Sequence, residues 1–263
     1  MPDPKYIIEN SNWAQRRMLY VFIIFSIIFL ILGFYFYKKY QNSKIVAPSC
    51  SDSIMNQNEG GIDCEGACIK ICREHMTEIK VLFTKAVQTN TNTYDLVSMI
   101  ENSNRGKSPG LVNYIFKVYN KSGSLVATST GRIYIDDAIK IPIIAPNISL
   151  PEQYNDLTTT LELDSYDMYP SVPYVESVKV AGYSFDNTKT KLIVDLINST
   201  LENSNDIQVK ALIANGSGDI MAVGQTSVSS VYSKEKKQAI ITWPSPIPDN
   251  YNIIQIYIVP EHK

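Results

Sequence analysis

The sequence predicts an all-β chain behind one N-terminal transmembrane helix, with a short disulfide-rich segment leading into two tandem β-sandwich domains. Three observations carry this. An unbroken apolar run occupies Met18 to Tyr37. Beyond His75, apolar residues alternate with polar ones in short stretches bounded by turn residues, the period-two pattern of half-buried strands. Two of those stretches align, with their turns, at one offset, so the chain reads as two versions of one unit.

The apolar run is interrupted only by Ser26 and Gly33 and holds no charge. As a helix rising about 1.5 Å per residue it spans roughly 30 Å, the thickness of the hydrocarbon layer. Trp13 and Tyr20 at one end, and Tyr35, Tyr37 and Tyr40 at the other, are ring types that settle among lipid headgroups. Arg16, Arg17, Lys38 and Lys39 flank them. A buried core helix would need a large helical domain around it, and the remaining chain has β periodicity. A cleaved signal peptide would have an apolar region of about 7–15 residues and a small-residue cleavage site. This run is longer and ends in aromatics followed by Lys-Lys. The expectation is therefore a single-pass anchor over residues 18–40, touching the bilayer through residues 18–37, after a cytoplasmic tail of residues 1–17 with no capacity to fold. Flanking charge does not orient it, because Lys5, Arg16 and Arg17 on one side balance Lys38, Lys39 and Lys44 on the other.

The cysteines orient it. Cys50, Cys64, Cys68 and Cys72 all fall within a linker and cysteine-rich segment, residues 41–76. An even number clustered beside a membrane anchor implies two local disulfides in an oxidising compartment, hence extracytoplasmic C-terminal domains on a cell membrane. Three pairings are open. Zinc would prefer paired C-x2–4-C knuckles, which three cysteines at four-residue spacing and one distant partner do not make. Calcium has candidate oxygen ligands in Asp52, Asn56, Asn58, Glu59 and Asp63, although their spacing is not that of an EF-hand and such loops also turn without metal. No cofactor is predicted. The stretch resembles an extracytoplasmic motif of bacterial surface proteins, C-x-D-G-x-x-N-x-x-E-x-G-x-D-C-G-G-x-C-x-x-C, found beside membrane anchors and repeated β domains. Cys50, Asp52, Asn56, Glu59, Gly61, Asp63, Cys64, Gly66, Cys68 and Cys72 stand at or near its positions, while Ser53 and Glu65 replace two of its glycines. The resemblance implies an envelope setting and brings no activity.

In Leu111 to Tyr119, Val112, Tyr114, Phe116 and Val118 point one way and Asn113, Lys117 and Tyr119 the other. In Asp206 to Ala214, Ile207, Val209, Ala211 and Ile213 form the corresponding row. Asn120 to Ala127 then matches Asn215 to Ala222, turn glycine included, and Tyr94 to Asn102 matches Lys191 to Asn198. Six or seven strands in about 85–90 residues suggest immunoglobulin-like sandwiches, placed at residues 77–165 and 166–263, with Leu157 to Leu163 hard to assign. Phe116 to Asn120 resembles the Phe-x-Leu-Tyr-Asp signature of small envelope β-sandwich domains, with Val118 and Asn120 as departures. That resemblance implies a scaffold or interaction role.

The chain has a formal net charge of −2, and its first 49 residues are basic, so the rest is acidic. No basic stripe exists to neutralise phosphates, which excludes nucleic acid as a partner. The histidines are His75 and His262. Neither sits in a Ser-His-Asp or Cys-His pattern, and no phosphate loop or HExxH occurs, so no catalytic residue is expected. Asp136 and Asp137 read as exposed turn residues. The sequence thus describes a non-enzymatic, membrane-anchored surface or envelope protein presenting two sandwiches for structural or adhesive contact with an unknown partner. The alternative is an accessory subunit docking on a secretion or envelope-assembly complex through its helix.

Overall fold

The computed structural model describes residues 4–43, 50–56, 58–154, 156–172 and 176–260, and the chain forms two compact units, Met1–Ser49 and Cys50–Lys263. The first is one helix, α1 (Pro4–Ser43). Proline is tolerated in a first turn, where its missing N–H would have no intrahelical partner, and no glycine or proline follows until Gly33. The stretch read as an unfolded tail is helical from Pro4 onward, because extending a helix costs far less than nucleating one. Within α1, Gln15–Gln41 is long and apolar enough to cross a membrane and none of it is buried.

The second unit opens with a cysteine-rich segment ending in a 3-10 turn, Arg73–His75. Its strands are β1 (Lys80–Asn90), β2 (Thr93–Glu101), β3 (Lys107–Ser108), β4 (Gly110–Asn120), β5 (Leu125–Ile135), β6 (Lys140–Ser149), β7 (Leu157–Leu163), β8 (Tyr169–Pro170), β9 (Val178–Phe185), β10 (Lys191–Asn198), β11 (Ser204–Asn215), β12 (Ile220–Val231), β13 (Lys236–Thr242) and β14 (Tyr251–Pro260). In the first sandwich the sheet β1-β2-β6 packs on β5-β4-β7, and in the second β9-β10-β13 packs on β12-β11-β14. The strand order is the same in both. β7, which the sequence left unassigned, pairs with β4 from Leu157↔Asn120 to Leu163↔Tyr114.

The alternation in β4 and β11 places their side chains as expected. Val112, Phe116 and Val118 lie in the first core with Tyr114 packed against them, and Ile207, Val209, Ala211 and Ile213 lie in the second. Matching polar residues recur at matching places. Asn120 and Asn215 each accept two turn N–H groups through Oδ1, from Ser122 and Ser124 and from Ser217 and Asp219. Asn102 and Asn198 are buried, and each Nδ2 donates to two carbonyls, of Lys107 and Asp136 and of Glu202 and Val231. An amide that spends both its protons inside the fold removes the cost of leaving those carbonyls unpaired.

The two sandwiches do not hang as separate beads. A third apolar cluster joins Val87, Val97, Met99 and Ile144 of the first to Leu212 and Val223 of the second, with Ile220 and Tyr257 at its margin. Sheet β1-β2-β6 therefore packs by its outer face on sheet β12-β11-β14, giving four stacked layers. Consequently β2 is buried on both faces without a break from Tyr94 to Ile100. Lys210, on the face of β11 that the alternation assigns to solvent, is 3% exposed, and its Nζ donates to the Pro142 carbonyl at 3.0 Å.

Asp95 is buried on β2, where its Oδ1 accepts the Asn147 N–H at 2.8 Å. Burial pushes its carboxyl above the ordinary 3.8, with the Asn147 hydrogen bond opposing. A raised folded-state pKa gives a contribution that is full below about 3.8 and lost as pH rises through the folded value. Asp95→Asn should therefore raise Tm by about 2–4 °C at pH 7, and the gain should vanish in thermal scans below the ordinary carboxylate pKa.

Candidate functional site

The cysteine segment is built from turns that the chain stabilises with its own acids. Cys50 pairs with Cys68 and Cys64 with Cys72, at Cα separations of 5.7 and 5.1 Å, which selects one of the three pairings the sequence allows. Asp63 accepts the Asp52 and Ser53 N–H groups at 3.0 and 2.9 Å. Asp52 accepts the Ile54 N–H at 2.9 Å and the Asn56 Nδ2 at 3.0 Å. Glu59 is buried and accepts the Asn56 N–H at 3.1 Å. Asn58, exposed, supplies a turn at φ 70°. Four of the five calcium candidates thus join one hydrogen-bonded loop, with Asn58 beside them.

The motif's glycines have a geometric reason. Gly66 has φ +61°, and a Cβ there would lie 1.6 Å from the Asn58 carbonyl oxygen. At Gly61 a Cβ would come within 2.9 Å of both Cys64 Sγ and Cys72 Sγ. Ser53 and Glu65, which stand where the motif has glycine, keep the left-handed backbone at φ 60° and 54°. Gly66→Ala should cost more than about 3 kcal/mol, since the Asn58–Glu59 backbone that leads into the cysteine turns must shift. Mass mapping of unreduced peptides should then show scrambled or open cysteines, and intact native pairing would reject this account.

The segment is fused to the first sandwich. Ile71 N–H donates to the Met168 carbonyl at 2.7 Å, Lys70 pairs with Asp167 at 2.9 Å, and the Ile79 N–H donates to Tyr166 Oη at 2.8 Å. Met168 itself is fully buried in the first core. His75 pairs through Nδ1 with Glu65 at 2.8 Å, and every thiol is spent in a disulfide. His262 lies outside the described residues. Asp136 and Asp137 are not exposed: each is 8% exposed, because their turn folds onto the 102–106 loop, where Asp137 Oδ2 accepts the Gly106 N–H at 2.9 Å.

Concave surface lies elsewhere. Two adjoining polar clefts of about 630 and 620 Å³ share Lys121, Tyr154 and Asp156 at the β4–β5 turn end of the first sandwich. A smaller apolar wedge of about 250 Å³ opens where the sandwiches meet, between Leu82 and Phe83 on one side and Ile220 and Ile253 on the other. Nothing in the sequence marked either, since each depends on which loops and sheets the fold brings together.

No protein-family profile and no curated protein matches the chain. Among solved structures, similarity is found to a β-glucuronidase of glycoside hydrolase family 2 at 10% identity and TM-score 0.19, over 76% of this chain and 26% of that one. The C-terminal globular domain of an oligosaccharyltransferase from Pyrococcus abyssi is matched at 10% identity and TM-score 0.21, over 68% and 46%. A red sea bream transglutaminase is matched at 12% identity and TM-score 0.21, over 72% and 32%. The chain spans less than half the length of each.

Proposed function

We propose that this is a membrane-anchored, non-enzymatic envelope protein whose two sandwiches, copies of one unit, present a rigid extracytoplasmic surface to a structural or adhesive partner. One observation carries it: a helix with an uncovered apolar stretch over Gln15–Gln41 is followed by a segment closed by two disulfides. Disulfides persist in oxidising compartments, so the cysteine segment and sandwiches lie outside and the N-terminus lies in the cytoplasm. The third apolar cluster supports the rigid-surface part, because two sandwiches sharing a buried face resist hinging. The adjoining clefts around Tyr154 offer a concave contact area lined by polar side chains.

Protease added to intact cells should digest the sandwiches and spare the N-terminal residues, while alkaline carbonate should leave the protein in the membrane pellet. Full protection in sealed cells would overturn the topology. Release by carbonate would overturn the anchor.

A further inference from the structure

We propose that the cysteine segment carries a calcium site built on Glu59 and Asn56. Glu59 is 6% exposed, and no ion pair among the described residues includes it. Its Oε2 accepts the Asn56 N–H at 3.1 Å. Its Oε1 lies 3.2 Å from Cys68 Sγ, but that sulfur is bonded to Cys50 and has no proton to give. Among the described residues, one oxygen of this buried carboxylate is therefore left without a donor, an arrangement that interiors seldom tolerate.

A second unsatisfied oxygen belongs to the same turn. Asn56 Oδ1 is buried with no hydrogen-bond partner. The amide cannot simply be reversed, because its Nδ2 donates to Asp52 Oδ2 at 3.0 Å and to the Ile54 carbonyl at 3.2 Å. The Glu59 N–H donates back to the Asn56 carbonyl at 3.1 Å, so the two residues are tied at both ends. Two buried acceptor oxygens on one turn, neither met by a donor among the described residues, would be satisfied by a cation or by water.

The surroundings favour the cation. Asp52, Asp63, Glu65 and Glu74 lie in the segment against Lys70 and Arg73, and Lys70 is engaged by Asp167. Sulfur is excluded as a ligand, since all four cysteines are paired, which removes zinc's preferred donors and leaves oxygen alone. Oxygen donors from side chains, completed by carbonyls and water in an irregular loop, suit calcium better than magnesium, which demands a stricter octahedron. An affinity of about 10⁻⁴–10⁻³ M, usual for extracellular modules, fits a site with few carboxylates. The physiological setting rests on the extracytoplasmic reading, but binding by the purified protein does not.

The test is calorimetric titration of calcium into the full-length protein in detergent after EDTA treatment, with Tm followed in parallel. Saturable binding and a rise in Tm are expected. Glu59→Gln should weaken affinity at least tenfold, Asn56→Asp should tighten it, and Asp137→Asn should change nothing, although Asp137 Oδ1 is also buried and unpartnered. Both disulfides must first be verified in each variant by unreduced mass. If Glu59→Gln fails that check, Asn56→Asp decides alone, with unchanged or weaker binding counting against the site. Absence of binding to about 10 mM means that water fills the gap and overturns the proposal. Binding that survives Glu59→Gln, or is lost in Asp137→Asn, overturns it equally. Any of these failures leaves the topology assay untouched.

Discussion

Replacing Leu212 with aspartate is expected to split one unfolding transition of the β region into two. Leu212 is 1% exposed, and it belongs to the cluster joining the sandwiches rather than to either core. A carboxylate there cannot stay between Val97, Met99 and Val223 without an uncompensated burial cost of several kcal/mol. Separating the sandwiches returns it to water, where aspartate on a strand surface costs under about 1 kcal/mol. The lost free energy, about 3–5 kcal/mol, should thus fall on the shared face and leave both cores able to fold. Scanning calorimetry of the full chain should show a second, lower peak in the variant. A single peak at the unchanged temperature would mean that the third cluster contributes little.

Phe116→Ala should cost about 3–5 kcal/mol, the usual penalty for truncating a buried aromatic, and should lower the melting temperature of the β region. Phe116 is fully buried on β4 and meets Tyr114 edge-on at a ring separation of 5.7 Å, so its loss removes volume and a ring contact together. Lys117 is the control next in sequence. It points outward and pairs with Glu162 at 2.7 Å across exposed surface, and Lys117→Ala should cost under about 0.5 kcal/mol. Equal effects at the two positions would put the strand in the wrong register.

The parity of β4 was legible because one side of that strand meets a core and the other meets water. β2 and β11 lack that contrast. In β2 the run from Tyr94 to Ile100 is buried throughout, and a period of two cannot be read from a strand covered on both sides. In β11 the alternation was visible but its polar member Lys210 was misleading, since its long stem is buried and its ammonium satisfied by a carbonyl of β6. The buried pair Asp136 and Asp137 misled for a related reason: a turn sequence says nothing about whether another loop folds over it. In the cysteine segment, the motif marked the cysteines, acids and glycines that shape the loop, but not the turn residue Asn58. It could not reveal the pairing or the two bare oxygens, because both depend on how the turns close in space.

The manner in which the sandwiches join also sets what their outer faces must avoid. The face that the first half offers, β1-β2-β6, is met not by its counterpart β9-β10-β13 but by β12-β11-β14, the counterpart of β5-β4-β7. Such a head-to-tail contact has no internal symmetry to close it, and on geometry alone it would add units without limit, as solenoids do. Polar side chains on the two outer faces work against such addition. One outer face carries Asn113, Lys117, Thr128, Thr130 and Glu162 around Ile115, and the other Lys191, Asp195, Lys236 and Gln238 around Ile193, Ile197 and Ile240. These act as caps, whereas the joined faces hold leucine, valine and methionine. Exchanging a cap's lysines and threonines for aliphatic residues would turn a closed pair into the first segment of a fibre.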